Sequence, residues 1–321
     1  MLAARLEPQD AQSLLSPLGD MQLAVIALSG GADSTCLAWL GAHYPQCKFF
    51  CVTVEHGLRP EARAEAEAAQ AMARQLGHRG LIKTWHGEKP SHGIQAAARE
   101  ARYQLLAEAA HEAGAGAILT AHNLEDVAET FLMRLARGSG LDGLSAMAGD
   151  SEVYGVRLLR PLLGVSRGRI EATLRAEGLS WSEDPSNQAE KFERVRLRQA
   201  MAAHLDEFGL SVEKIALSAE RLGRARLALG EGVAYWQGKL WPDGQSQPSF
   251  SLALWRQVPE EIGIRLLGLA LPGAELAQIE ALADWLRTSS EAARTLSGRE
   301  IRRIGDIVQI SAEKPRRNAK E

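Results

Sequence analysis

Cysteine is scarce in this chain: its 321 residues carry only Cys36, Cys47 and Cys51, and no two of them form a Cys-x-x-Cys pair. That argues against a disulfide framework, a zinc ribbon and an iron–sulfur site, and it points to a reducing, cytoplasmic setting. Charge of one sign is also missing, since 37 Lys and Arg against 40 Asp and Glu leave −3 at pH 7. The total is not that of a nonspecific nucleic-acid binder, so any RNA contact has to come from local patches. No apolar run approaches the roughly 18 residues that a membrane helix needs. The start, Met1-Leu2-Ala3-Ala4-Arg5-Leu6-Glu7, is charged within a few residues, so the expectation is no signal peptide, no anchor and no membrane partner. No internal repeat is present. With 45% hydrophobic residues, the chain can bury a sizeable core, and its length suits about two or three domains.

A further absence is chemical. After the apolar stretch 23–28 comes Ser29-Gly30-Gly31-Ala32-Asp33-Ser34, the composition of a strand-to-helix phosphate loop. Adjacent glycines let the backbone turn tightly and approach a ligand, and the start of the following helix aims unpaired N–H groups at an anion. No Gly-Lys-Ser/Thr follows, so this is not the loop that holds a γ-phosphate for hydrolysis, and Gly-x-Gly-x-x-Gly does not fit either. A cradle rich in hydroxyls and glycine but without the lysine suits pyrophosphate as a leaving group, with attack at the α-phosphorus. That predicts adenylation of a substrate.

From residue 21 to about 160, short apolar or β-branched runs alternate with longer Ala/Leu/Arg/Glu segments, the pattern of an α/β fold with a parallel sheet flanked by helices. Strands are expected at 23–28, 48–54, 80–84 and 117–120, and helices at 33–41, 60–76 and 94–113. Open α/β sheets bind ligands beyond the carboxyl ends of their strands. That rule gathers the loop 29–34, Glu55-His56-Gly57-Leu58-Arg59 and Ala121-His122 into one crevice. Beyond it the sequence predicts a turn and helix at 161–178, a polar loop with Asp184-Pro185-Ser186-Asn187, and a helix at 192–204. A long amphipathic helix is expected at 211–236, a helical region at 252–287, a short β-hairpin at 295–311 and a charged, disordered tail at 313–321. The expected division is therefore a nucleotide-binding domain at 1–205 and a mainly helical region with a small β element at 206–312.

Three clusters carry chemistry. His122, Asp126 and Glu129 follow the strand at 117–120 and, spaced four and three apart, share one helix face at the sheet's carboxyl edge. A carboxylate beside a phosphate site calls for a cation between them, and Mg²⁺ binds through one or two carboxylates plus phosphate oxygens. Asp126, with Asp33, is the metal candidate; the alternative is that Asp126 and Glu129 are a solvated first-turn pair, with His122 a structural cap. Arg99 and Arg102 lie about one turn apart and suit phosphate oxygens, unless they pair with Glu100 or Glu108 at the surface. Arg137 opens the glycine-rich run Gly138-Ser139-Gly140-Leu141-Asp142-Gly143-Leu144, which also reads as a helix C-cap followed by turns.

The run 29–34 resembles the loop of the PP-loop (N-type) ATP pyrophosphatases, a broad superfamily in which the acceptor of the adenylation varies. Several further segments narrow it: Glu55 to Arg59, Ala98-Arg99 with Arg102-Tyr103, His122 to Thr130, and Arg137 to Leu144. The last is Glu183 to Asn187 followed by Phe192-x-Arg194-x-x-x-Arg198. In order and spacing these resemble the tRNA(Ile)-lysidine synthetase family over about 20–205 and more weakly beyond. The chain departs from the usual family pattern at Glu55 for Asp, Ala62 for Ser, Asn123 for the second His of a His-His pair, Glu125 for Asp, and Val195 for Asn.

The resemblance implies a ligase that uses ATP and Mg²⁺ to adenylate the wobble cytidine of a CAU-anticodon tRNA(Ile), then joins free L-lysine to it with release of AMP. Carried over by position, Ser29, Gly30, Gly31, Ala32, Asp33, Ser34 and His56 hold ATP. Asp33 and Asp126 serve magnesium, and Arg102, His122 and Arg194 stabilise the intermediate or orient lysine. Arg99, Glu129, Arg137 and Arg198 contact tRNA or substrate. The region after 205 then positions tRNA through basic residues at 191–226 and 299–317, and a homodimer is left open. A PP-loop tRNA thiolation enzyme is the nearest rival, disfavoured by the few cysteines; a small-molecule synthetase is another. A noncatalytic RNA-binding protein on a vestigial nucleotide fold is the rival from a different class.

Overall fold

The computed structural model describes residues 4–57, 61–87, 89–90, 92–182, 193–242, 249–289 and 291–313, without the side chains of 193–195 and 202. Two compact units, Met1–Gly223 and Arg224–Glu321, divide inside one long helix. Among the described residues no helix is long and apolar enough to cross a membrane.

The first unit opens with the short helix α1 (Asp10–Leu14) and continues β1 (Leu23–Ala27), α2 (Ala32–Ala42), β2 (Lys48–Glu55), α3 (Ala62–Gln75), β3 (Arg79–Thr84), α4 (Ile94–Ala113) and β4 (Ala117–Leu119). Then follow α5 (Leu124–Leu135), α6 (Leu141–Leu144), β5 (Asp150–Val153), β6 (Val156–Leu159), α7 (Arg167–Ala176), α8 (Glu193–His204) and the start of α9 (Val212–Leu240). The sheet order is β3-β2-β1-β4-β6-β5, parallel except for the antiparallel edge strand β5.

The central strands are apolar along their length because both sheet faces are covered. Ala24 and Ile26 turn to a core shared with Leu37 and Leu40 of α2 and Ile170 and Leu174 of α7. Val25 turns to the other face, against Tyr103, Leu106 and Ala110 of α4. Gly80 is fixed by crowding, since a Cβ there would lie 2.0 Å from the Cys51 carbonyl oxygen. Gln70 of α3 crosses the same spot to donate to Thr53 Oγ1 at 2.9 Å.

The β5–β6 hairpin is a strand pair that the hydrophobic pattern did not predict. Its outer strand is the polar sequence Asp150-Ser151-Glu152-Val153, as suits an edge. The turn residues Tyr154 and Gly155 both adopt left-handed φ, 48° and 74°, the backbone twist that two-residue hairpins favour. Through this hairpin the sheet gains β6 beside β4 and reaches six strands.

The second unit contains the remainder of α9, β7 (Ser249–Ser251), α10 (Leu252–Trp255), α11 (Glu260–Ala270), α12 (Leu276–Thr288), β8 (Ala293–Leu296), β9 (Arg299–Ile304) and β10 (Ile307–Ala312). The helical region expected at 252–287 is three helices, interrupted at Pro259 and again at Pro272-Gly273, where Gly273 has φ 89°. The expected hairpin belongs to a four-stranded antiparallel sheet, β7-β10-β9-β8. It closes over a core of Trp255, Leu266, Leu282, Leu286, Ile301 and Val308. Lys314 to Glu321, the larger part of the expected tail, lie outside the described residues.

Candidate active site

The chain leaves β1, winds through α2 to β2 on one side, and later returns to place β4 on the other side of β1. The strand order therefore reverses at β1 and β4, which is where open sheets of this kind bind ligands. The run 29–34 leaves β1 at this point. Gly30 has φ 85°, and a Cβ on it would meet Ala69 Cβ at 3.3 Å, so glycine is required there on two counts. Its carbonyl accepts from Ser182 N at 2.9 Å. The Ser34 hydroxyl donates to the Gly31 carbonyl at 3.1 Å and accepts from Ser29 N at 3.1 Å. With that proton committed, Ser29 Oγ is the donor in its 3.0 Å contact with Ser34 Oγ. The loop is thus pinned by its own hydroxyls. No side chain caps the start of α2, the kind of helix end at which anions can bind.

Asp33 stands in the first turn of α2, and the start of α5 stands opposite it. Asn123, fully buried, joins the two. Its Nδ2 donates to Asp33 Oδ1 at 2.9 Å, its Oδ1 accepts from Asp126 N at 3.0 Å, and its own N donates to Asp126 Oδ2 at 3.0 Å. The last two bonds are a capping box. One carboxylate oxygen of Asp126 is therefore engaged in the helix cap. Arg167 Nη2 lies 3.7 Å from Asp33 Oδ2, and Arg167 N donates to Glu125 Oε2 at 2.9 Å. Burial pushes the Asp33 carboxyl up and the charge of Asp126 adds to this, while the Asn123 hydrogen bond and Arg167 oppose it. Burial likewise raises Glu125, opposed by the Arg167 amide.

His122 Nδ1 is 3.0 Å from Thr120 Oγ1. His56 follows β2, packs edge-on to Trp85 at 6.0 Å and keeps a buried Nδ1 with no hydrogen-bond partner. Burial lowers its pKa, and the nearby cations Arg102 and Lys89 lower it further, so the imidazole is neutral at pH 7. Arg99 and Arg102 of α4 lie over the Tyr103 ring at 5.0 and 5.5 Å. Glu100 accepts from Tyr154, and Glu108 accepts from Gln104.

Glu129 and Arg198, both expected to meet substrate, meet each other: Arg198 Nε and Nη2 donate to the two Glu129 oxygens at 2.6 and 3.2 Å. Glu129 is 1% exposed. Burial opposes the charge on Arg198, but the hydrogen bond and charge of Glu129 outweigh it and raise the guanidinium's pKa. The pair ties α5 to α8, the helix that carries Arg194, whose side chain is outside the described residues. Arg137 is exposed after α5; Arg134 braces the glycine-rich loop, donating to the Gly143 and Ala146 carbonyls at 2.8 Å. Leu58, Arg59 and the segment Glu183 to Asn187 lie outside the described residues.

In the sequence Asn123 stands out only as a departure from a family pattern, and Arg167 does not stand out at all. Asn123 had a usable signal, Asn at a strand end with Asp three residues later, which is a capping box. Arg167 had none, because nothing local links it to a carboxylate 134 positions earlier. Among the described residues no group of three or more His, Cys, Asp and Glu side chains is arranged to hold a metal unaided. Asp33 and Asp126 offer hard carboxylate oxygens close enough to feel each other's charge, a donor set that needs phosphate oxygens to complete it.

A parallel-dominated α/β sheet with a lysine-free loop at its reversal point defines a PP-loop nucleotide-binding protein, and the family model for the PP-loop domain matches residues 6–205. The solved U34-tRNA thiolase of Methanococcus maripaludis shares this fold at 18% identity with a TM-score of 0.56, over 67% of this chain and 78% of that one. Among curated relatives, the tRNA(Ile)-lysidine synthase of Bradyrhizobium sp. is 39% identical over 97% of this chain and 96% of its own. That of Rhodopseudomonas palustris is 42% identical over 91% of each. The chain belongs to the tRNA(Ile)-lysidine synthase family.

Proposed function

We propose that the chain is an ATP-dependent ligase that joins L-lysine to the wobble cytidine of a CAU-anticodon tRNA(Ile), forming lysidine. The observation that carries the reading is the uncapped start of α2 behind a loop locked by Ser29 and Ser34 and lacking lysine. It suits the β- and γ-phosphates as a departing unit. In the first step cytidine O2 attacks the α-phosphorus, the O2–P bond forms and the bond to pyrophosphate breaks. In the second the neutral ε-amine of lysine attacks C2, the C2–O2 bond breaks, AMP departs with that oxygen, and the nitrogen loses a proton. Arg102, beside His56, is suited to the charge developing at phosphorus. Arg198 of α8 brings a cationic group to Glu129 of α5.

Mg²⁺ fits the Asp33 and Asp126 oxygens, and when bound it supplies charge neutralisation on the phosphates. The thiolation alternative finds little support: all three cysteines are buried, and burial pushes the Cys36 and Cys51 thiols up to about 12, which leaves them poor nucleophiles. The test is release of AMP and pyrophosphate from ATP. The reading expects it to require both the RNA and lysine for turnover; release that is indifferent to RNA rejects it in favour of a small-molecule synthetase.

A further inference from the structure

We propose that Asn123 is a positioning residue that sets the separation of the Asp33 and Asp126 carboxylates, holding the first by its buried side-chain amide and the second through the α5 cap, and thereby the affinity of the nucleotide site for its divalent cation. The inference rests on the reading that Asp33 and Asp126 face a metal-nucleotide. Its geometry is specific. The two carboxylates arise on different helices, α2 after β1 and α5 after β4, and a side chain between them must satisfy two opposite demands. The Asp126 N–H needs an acceptor, and the Asp33 carboxylate needs a donor. Asn123 meets both from one short branch, at 3.0 and 2.9 Å, while its backbone N–H engages the second carboxylate at 3.0 Å. Being fully buried, the amide has no water with which to exchange these partners, so its orientation is locked.

The same residue type performs two separable tasks. Serine at 123 keeps the helix cap, because its hydroxyl accepts from the same N–H, but it has no second donor that reaches Asp33. Alanine loses both the side-chain half of the cap and the link to Asp33. If Asn123 only caps α5, the serine variant behaves as wild type. If it positions the carboxylates, both variants lose metal affinity by about tenfold or more, as removal of residues that orient metal ligands generally does, while only the alanine variant loses thermal stability.

The experiment uses the full chain as wild type, Asn123→Ser and Asn123→Ala. Binding of Mn²⁺ in the presence of a non-hydrolysable ATP analogue is followed by electron paramagnetic resonance, alongside the melting temperature. The expected result is a tenfold or greater rise in the Mn²⁺ dissociation constant for both variants, with an unchanged melting temperature for Asn123→Ser. A serine variant with wild-type Mn²⁺ affinity overturns the proposal, as does a loss of affinity that tracks the loss of stability. Because metal binding is read without turnover, this outcome is independent of whether the wild type modifies tRNA, and RNA-dependent AMP release by the wild type tests that other reading separately.

Discussion

Replacing Arg198 by alanine removes the two hydrogen bonds and the charge that it supplies to Glu129, a carboxylate 1% exposed. Removing one partner of a buried ion pair generally costs about 3–5 kcal/mol. Here the Arg198 side chain is 33% exposed, so water reaches one side of the pair and the low end applies, roughly 2–3 kcal/mol. For a unit of this size that is a fall of about 4–12 °C in melting temperature, given some 2–4 °C per kcal/mol. The assay is thermal unfolding followed by circular dichroism. A double variant, Glu129→Leu with Arg198→Met, removes both charges and fills the space with apolar atoms, so it is expected to melt within a few degrees of wild type. An Arg198→Ala protein that melts within 2 °C (roughly 1 kcal/mol) of wild type refutes the argument, as does a double variant worse than the single one.

Gly30→Ala forces a methyl to within 3.3 Å of Ala69 Cβ at φ 85°, a strain of about 1–3 kcal/mol in the loop; calorimetry should show ATP-analogue binding weakened about tenfold with the rest of the fold intact. His78 donates through Nε2 to the Ala38 carbonyl at 2.8 Å. Burial lowers its pKa below the usual 6.5, although the Ala38 hydrogen bond opposes the shift. The unfolded chain then binds the proton first, so His78 stabilises the fold above about pH 6.5 and that contribution is lost as pH falls from there toward its folded value. Denaturant midpoints measured across that acid range should decline less steeply for His78→Gln than for wild type. Transfer RNA affinity is expected to fall by roughly a thousandfold between 50 and 200 mM salt if six or more phosphates are met, and a flat salt response in a filter-binding titration would count against a basic docking surface. Part of the basic supply is already engaged: Arg302 pairs with Glu300 at 2.6 Å, and Arg303 stacks on Trp285 at 4.3 Å.

The elements nearest the site were the most legible in sequence. The strand at 23–28 and the helix expected from 94 to 113 follow directly from apolar runs and from the Gly93 and Gly114 boundaries, and the helix bounds coincide with α4. The phosphate loop could be read because glycine and hydroxyl residues at fixed offsets encode its backbone locally. The β5–β6 hairpin could not be read from hydrophobicity, because an edge strand made of Asp150, Ser151 and Glu152 carries none to detect. Contacts that join distant segments were illegible for a different reason. The Glu129–Arg198 pair and the approach of Arg167 to Asp33 depend on how α5, α7 and α8 pack, and no local periodicity encodes which of many exposed-looking charges will be buried against another. Asn123 shows the intermediate case: its cap was encoded beside it, and its bond to Asp33 was set only by the adjacency of β1 and β4.

The most direct measurement of the central claim is to incubate the full chain with CAU-anticodon tRNA(Ile) transcript and α-labelled ATP, without lysine, and then to add lysine. The account predicts that label enters the RNA with release of pyrophosphate and is chased off as AMP once the amine is supplied. Formation of ADP, or an RNA that never carries the α-phosphate, would contradict it.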